Sequence, residues 1–218
     1  MMVSMRLLRT MWFLVVSLCS WQALAASLVV KVNDGSGAPL PDAVVYLDSG
    51  LPYQPGETRH YEVEQRNKTF APFVTIIAAG SQASFPNHDG IGHHVYSFSP
   101  AKNFQLPLSE VEITDAITFD QPGIVTLGCN IHDWMVAYIY VVETPYFAKV
   151  GSDGVASIGG LPAGDYEIRV AHPGMKAAQP ASTTVSLPAE GAVNLEFSLE
   201  IKPKYFWQPE ARMHEEVY

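Results

Sequence analysis

Cys129, His132 and Met135 stand three residues apart on the stretch Gly128-Cys129-Asn130-Ile131-His132-Asp133-Trp134-Met135, between two apolar β-like runs. One thiolate, one imidazole and one thioether held this close suit a soft metal, copper above all. Zinc also takes thiolate and imidazole, but Met135 is a poor zinc ligand. A cysteine hydrolase would need an open thiol and a set of oxyanion donors, and no such pattern accompanies Cys129. Three donors on one loop leave a second imidazole to come from a distant strand. His60, His88, His93, His94, His172 and His214 are the candidates.

The elements that must position these groups read as strands. Apolar runs are short, β-branched or aromatic, and punctuated by Gly, Pro, Asn and Asp, which is the pattern of an all-β sandwich or barrel. Leu28-Val29-Val30-Lys31-Val32 and Ala43-Val44-Val45-Tyr46-Leu47 flank the turn signal Asn33-Asp34-Gly35-Ser36-Gly37. Phe73 to Ala78, Ala83 to Asn87, His93 to Phe98, Ile124 to Cys129 and Val136 to Val142 form a second block. Val155 to Ile158, Tyr166 to Val170, Ser182 to Leu187 and Val193 to Leu199 follow. Residues 48–60 read as a linker or long loop, and 201–218 as a C-terminal tail carrying Tyr205, Phe206 and Trp207. Val125, Leu127 and Cys129 share one strand face, so the thiol points inward with apolar neighbours.

The chain opens with Arg6 and Arg9, an apolar run from Met11 to Leu18, and Ala23-Leu24-Ala25. That is the form of a secretory signal peptide over residues 1–25, cut after Ala25. Export to the periplasm or beyond is the expectation. No later run is long and apolar enough to cross a bilayer as a helix. Removing the leader takes the formal charge from −9 to −11, because it carries two arginines and no acid. A chain this acidic argues against nucleic acid as a partner. Cys19 leaves with the leader, so Cys129 is the one cysteine of the mature chain, with no partner for an internal disulfide.

Residues 61–142 resemble the cupredoxins, the small blue-copper proteins. Phe70-Ala71-Pro72, Ala79-Gly80, Asn87-His88-Asp89, His93-His94-Val95, Pro122-Gly123 and the Cys129, His132, Met135 loop occur in the family's order. The spacing Cys-x-x-His-x-x-Met is similar to the short ligand loop of amicyanin. The block also resembles cupredoxin-like proteins labelled methylamine utilisation proteins. The resemblance implies a Greek-key β-sandwich, and a single mononuclear copper bound by His93, Cys129, His132 and Met135. His94 takes the place where many members have Asn, and a shift of one residue would make it the ligand instead of His93. In a strand His93 shares a face with Val95 while His94 points the other way. His88, His60, His172 and His214 read as solvated.

Residues 27–50 and 143–200 resemble, in Asp34 to Val45 and in Asp153 to Tyr166, the two halves of a carboxypeptidase regulatory-like, transthyretin-type sandwich. The expected organisation is therefore a second small β-sandwich, discontinuous in sequence, with the 61–142 block inserted in it. The expected function is one-electron transfer between redox partner proteins, with no bond-making and no catalytic residue. The alternatives are a periplasmic copper carrier or chaperone using the same four ligands, and a structural sandwich with a vestigial site.

Overall fold

The computed structural model describes residues 25–48, 53–56, 58–107 and 116–204. The expected leader, apart from Ala25, lies outside the described residues, as do His214 and the part of the tail that holds Tyr205, Phe206 and Trp207. Among the described residues there is no α-helix, and no helix is long and apolar enough to cross a membrane. The protein is all-β.

Among the described residues seventeen strands follow one another. The first two are β1 (Ala26–Asp34) and β2 (Val44–Asp48). The middle of the chain supplies β3 (His60–Glu62), β4 (Glu64–Arg66), β5 (Thr69–Ala71), β6 (Val74–Ala78), β7 (Ser81–Ser84), β8 (Val95–Ser99) and β9 (Lys102–Gln105). It continues with β10 (Ile117–Phe119), β11 (Gly123–Cys129) and β12 (Val136–Val142). The last five are β13 (Phe147–Lys149), β14 (Val155–Leu161), β15 (Gly164–Ala171), β16 (Ala181–Leu187) and β17 (Gly191–Leu199).

The first and last of these strands meet in one sandwich. One sheet has the order β14-β1-β17, and the sheet facing it has the order β13-β2-β15-β16. β1 runs parallel to β17 along its full length, from Ala26 opposite Gly191 to Asp34 opposite Leu199. Leu28, Val30, Val32, Val45, Leu47, Ile168 and Val170 are fully buried between these sheets. Alternation puts them on one face, and each is worth roughly 1.5–3 kcal/mol for leaving water. The turn after β1 forms because the Asp34 carboxylate accepts the backbone N–H groups of Ser36 and Ala38, an Asx-type bond. Gly154 (φ 78°) closes the facing turn; a Cβ there would come within 2.9 Å of Pro39.

The middle strands form a five-stranded mixed sheet of order β6-β12-β11-β8-β9 and a three-stranded sheet of order β10-β7-β3. Their shared core holds Val63, Ile77, Phe85, Phe119, Val125, Leu127 and Ile139, together with Cys129 and Met135. A third core joins the two assemblies. Val74, Ile76, Tyr140 and Val142 on the outer face of β6 and β12 pack on Val44 and Ala171 of the terminal sandwich. This explains why β6 and β12 read as continuous apolar runs: both of their faces are covered.

β4 and β5 pair as a small hairpin whose two-residue turn, Asn67-Lys68, has both residues at positive φ (54° and 55°). That is the turn geometry that suits the twist of paired strands. It is absent from the strand reading above because neither residue is Gly. His172 also departs from its reading as a solvated side chain, since it is 3% exposed. Burial drives its pKa down to about 4, while the Asp42 carboxylate and the Pro41 backbone pull the other way.

The buried, neutral His172 has a consequence for acid stability. In the unfolded chain the imidazole returns to about 6.5 and takes up a proton before the folded one does. The contribution is complete above pH 6.5 and is lost as the pH falls towards 4, by roughly 2–3 kcal/mol. Urea unfolding of metal-free protein at the two ends of that window is expected to show a larger loss for wild type than for His172→Gln. Equal losses would show that the proton taken up on unfolding is not at His172.

Candidate metal centre

Cys129 is the last residue of β11, and Val136 opens β12, so residues 130–135 form the connection. The connection tightens at its end, where the Met135 N–H donates to the His132 carbonyl (3.0 Å). Val125, Leu127 and Cys129 are buried in alternation with exposed Ile124 and Thr126. The Cys129 thiol (3% exposed) therefore enters the apolar core, with Met135 (1% exposed) in the same cluster.

The distant imidazole arrives through β8. This strand runs antiparallel to β11 with Val95 opposite Cys129 and Tyr96 opposite Gly128. His93 lies two residues before Val95, on the inward face. It is 2% exposed, and its Nδ1 stands 3.9 Å from Cys129 Sγ. His94 points away from this group, with its ring 5.8 Å from that of Tyr96. Gly128 gives Tyr96 its place beside the thiol strand, since a Cβ at that position would come within 2.7 Å of the Tyr96 ring.

One nitrogen each of His93 and His132 and the sulfur of Cys129 lie within 4.8 Å of one another. His132 Nδ1 is buried and has no hydrogen-bond partner among the described residues. A buried polar atom left without a partner is costly, and a metal ion is a partner it can take. Burial holds the His132 imidazole below its ordinary pKa; His93 and Lys68 add to that and Asp89 opposes it. That direction favours the neutral ring, which has a lone pair to give. Two imidazoles and one thiol that can become a thiolate, with the Met135 thioether on the same connection, are a donor set that fits copper.

Behind the cluster stands Asp89. Its carboxylate accepts the His93 Nε2–H (2.8 Å) and the backbone N–H groups of Lys68 (2.8 Å) and Asn67. Burial alone would raise its pKa, but the bonds from Lys68, His93 and Asn67 outweigh that and hold it below the ordinary carboxylate value. Trp134, between His132 and Met135, lies 5.2 Å from the His132 ring, and its Nε1–H donates to the Lys68 carbonyl (3.1 Å). The sequence reading left Asp89 and the Asn67-Lys68 turn without a role. The spacing of four between Asp89 and His93 was the available signal.

Other sequence candidates fall elsewhere. His88 is exposed, 3.5 Å from Glu64. His60 is exposed, bonded to the Ser84 hydroxyl at 2.9 Å. Asp133 is exposed.

No family model matches this chain, and no curated protein matches it. Parts of this chain do match solved structures. A copper-containing nitrite reductase from Thermus scotoductus SA-01 is 24% identical over 44% of this chain and 26% of its own length, with a TM-score of 0.38. A purple cupredoxin from Nitrosopumilus maritimus is 18% identical over 37% of this chain and 98% of its own, with a TM-score of 0.34. A reduced, Cu(I) form of an amicyanin variant is 15% identical over 45% of this chain and 98% of its own, with a TM-score of 0.35. The chain thus spans about a quarter of the nitrite reductase, and each likeness takes in less than half of this chain. What the centre can do follows from its own residues.

Proposed function

We propose that this chain is an exported carrier of single electrons, built on one mononuclear copper held by His93, Cys129 and His132 with Met135 as a weaker fourth ligand. The observation that carries this reading is the convergence of one thiol and two imidazoles inside a dry core. When bound there, copper supplies a reversible Cu(II)/Cu(I) couple.

The chain's own residues do the rest. Cys129 gives the strong sulfur donor, and its place among Val125, Leu127 and Met135 keeps water from the sulfur. Met135 tunes the potential as a soft, weak donor. Ligands set on paired strands and a short closed turn move little between oxidation states, which keeps the reorganisation cost of transfer low. His132 is less buried than His93 and is the port nearest solvent. Ile131 (53% exposed), next to His132 in sequence, and Ile91 (39% exposed), two residues before His93, are apolar side chains available for contact with redox partner proteins. The leader expected over residues 1–25 would place the protein in the periplasm. The terminal sandwich serves as a platform for stability or docking. No bond-making step is assigned to the site.

Carriage of copper as cargo uses the same ligands and predicts a different behaviour. Copper-loaded protein is to be cycled between oxidised and reduced forms beside a competing Cu(I) chelator. An electron carrier keeps its copper through repeated cycles. Loss of the metal on the first reduction would overturn electron carriage in favour of delivery.

A further inference from the structure

We infer that Asp89 is the positioning residue of this centre: it fixes His93 in the tautomer that leaves Nδ1 open towards Cys129, and its negative charge draws the reduction potential down. This rests on the copper reading above.

A neutral imidazole has one N–H. The His93 Nε2 lies 2.8 Å from a carboxylate oxygen, in a pair whose side chains are 0% and 9% exposed. An ionised carboxylate only accepts, so Nε2 carries a proton, and in the neutral ring the lone pair is on Nδ1. Nδ1 is the atom that faces the sulfur. The hydrogen bond behind the ring thereby selects the nitrogen in front of it.

Asp89 is itself held on several sides. Its backbone N–H donates to the Asn87 side chain (3.0 Å), which in turn donates to the Ile91 carbonyl (2.8 Å). Its carboxylate is held by the two N–H groups of the Asn67-Lys68 turn, where positive φ at both residues aims them together. The carbonyl of Lys68 also takes the Trp134 Nε1–H. One two-residue turn therefore grips the loop that carries His93, through Asp89, and the loop that carries His132 and Met135, through Trp134. His94 cannot tie these loops together, because its ring lies against Tyr96 on the other face.

The charge has its own effect. A full negative charge bonded to a ligand imidazole raises that ligand's basicity and favours the more positive oxidation state. In a site this dry the interaction is weakly screened.

Asp89→Asn keeps the shape and removes the charge, and Asp89→Ala removes both. Asp89→Asn is expected to keep the copper–thiolate absorption while shifting the relative affinity towards Cu(I) by about tenfold, which for one electron is about 59 mV upward in potential. Asp89→Ala is expected to weaken copper binding by 10–100-fold, the usual loss for an outer-shell partner. A residue that only supports the fold would change stability and leave the potential where it was. An unmoved potential in Asp89→Asn would overturn the role given to the charge.

Proton–nitrogen NMR of the metal-free protein tests the tautomer without copper. Wild type is expected to carry the His93 proton on Nε2, and Asp89→Ala to show a mixture. A proton on Nδ1 in wild type would overturn the positioning role. Failure of wild type to take up copper would instead sink the copper reading and leave the tautomer result standing.

Discussion

Cys129→Ser is expected to abolish the intense visible absorption of the copper-loaded protein, near roughly 600 nm, and to lower copper affinity by about a hundredfold or more. The band belongs to charge transfer from a thiolate, and a serine oxygen is neither soft nor readily ionised. The substitution is small and the site sits at a strand end, so the fold should survive. Cys129 is the one cysteine among the described residues, so the substitution takes away the strong soft ligand. The measurement is absorbance and copper per protein after loading and dialysis, beside wild type. A variant that keeps the band would remove Cys129 from the centre, and with it the core of this account.

The second large effect separates two adjacent histidines. His93→Ala should lose the band and most of the bound copper, because the Nδ1 beside Cys129 goes with it. It also leaves the buried Asp89 without the ring that pairs with it. His94→Ala removes a ring that lies against Tyr96 outside the cluster, and should keep the spectrum and the copper. Optical spectra of the two loaded variants make the comparison. The opposite pattern would mean a register slipped by one residue, since a single-residue shift in a strand exchanges its faces.

What could be read from the sequence was what lay close together along it. Cys129, His132 and Met135 share one loop, and their spacing alone marks a soft-metal set. The inward direction of Cys129 followed from alternation with Val125 and Leu127, and the structure buries all three. His93 is different in kind. It reaches the cluster only because Val95 pairs with Cys129 across two strands separated by a long stretch of chain. Only strand parity and the order of motifs singled it out from His94.

The Asn67-Lys68 turn was out of reach for a related reason. The turn lies 22 and 21 residues from Asp89 and carries no Gly to mark it. It acts through backbone groups, which have no residue type to read. His172 was misread because a His beside a Pro and a Gly looks like loop, while the sheet packing that buries it is not written locally. The pairing of β1 with β17, across most of the chain, has no local mark in the sequence.

The most direct measurement is an optical and EPR spectrum of the wild-type protein loaded with one equivalent of copper. An intense blue or purple band is expected, with an EPR signal showing the small copper hyperfine splitting of a highly covalent copper–sulfur bond. Both should vanish on one-electron reduction and return on reoxidation. A colourless Cu(II) protein with an EPR signal of ordinary nitrogen and oxygen ligation would contradict the copper–thiolate reading.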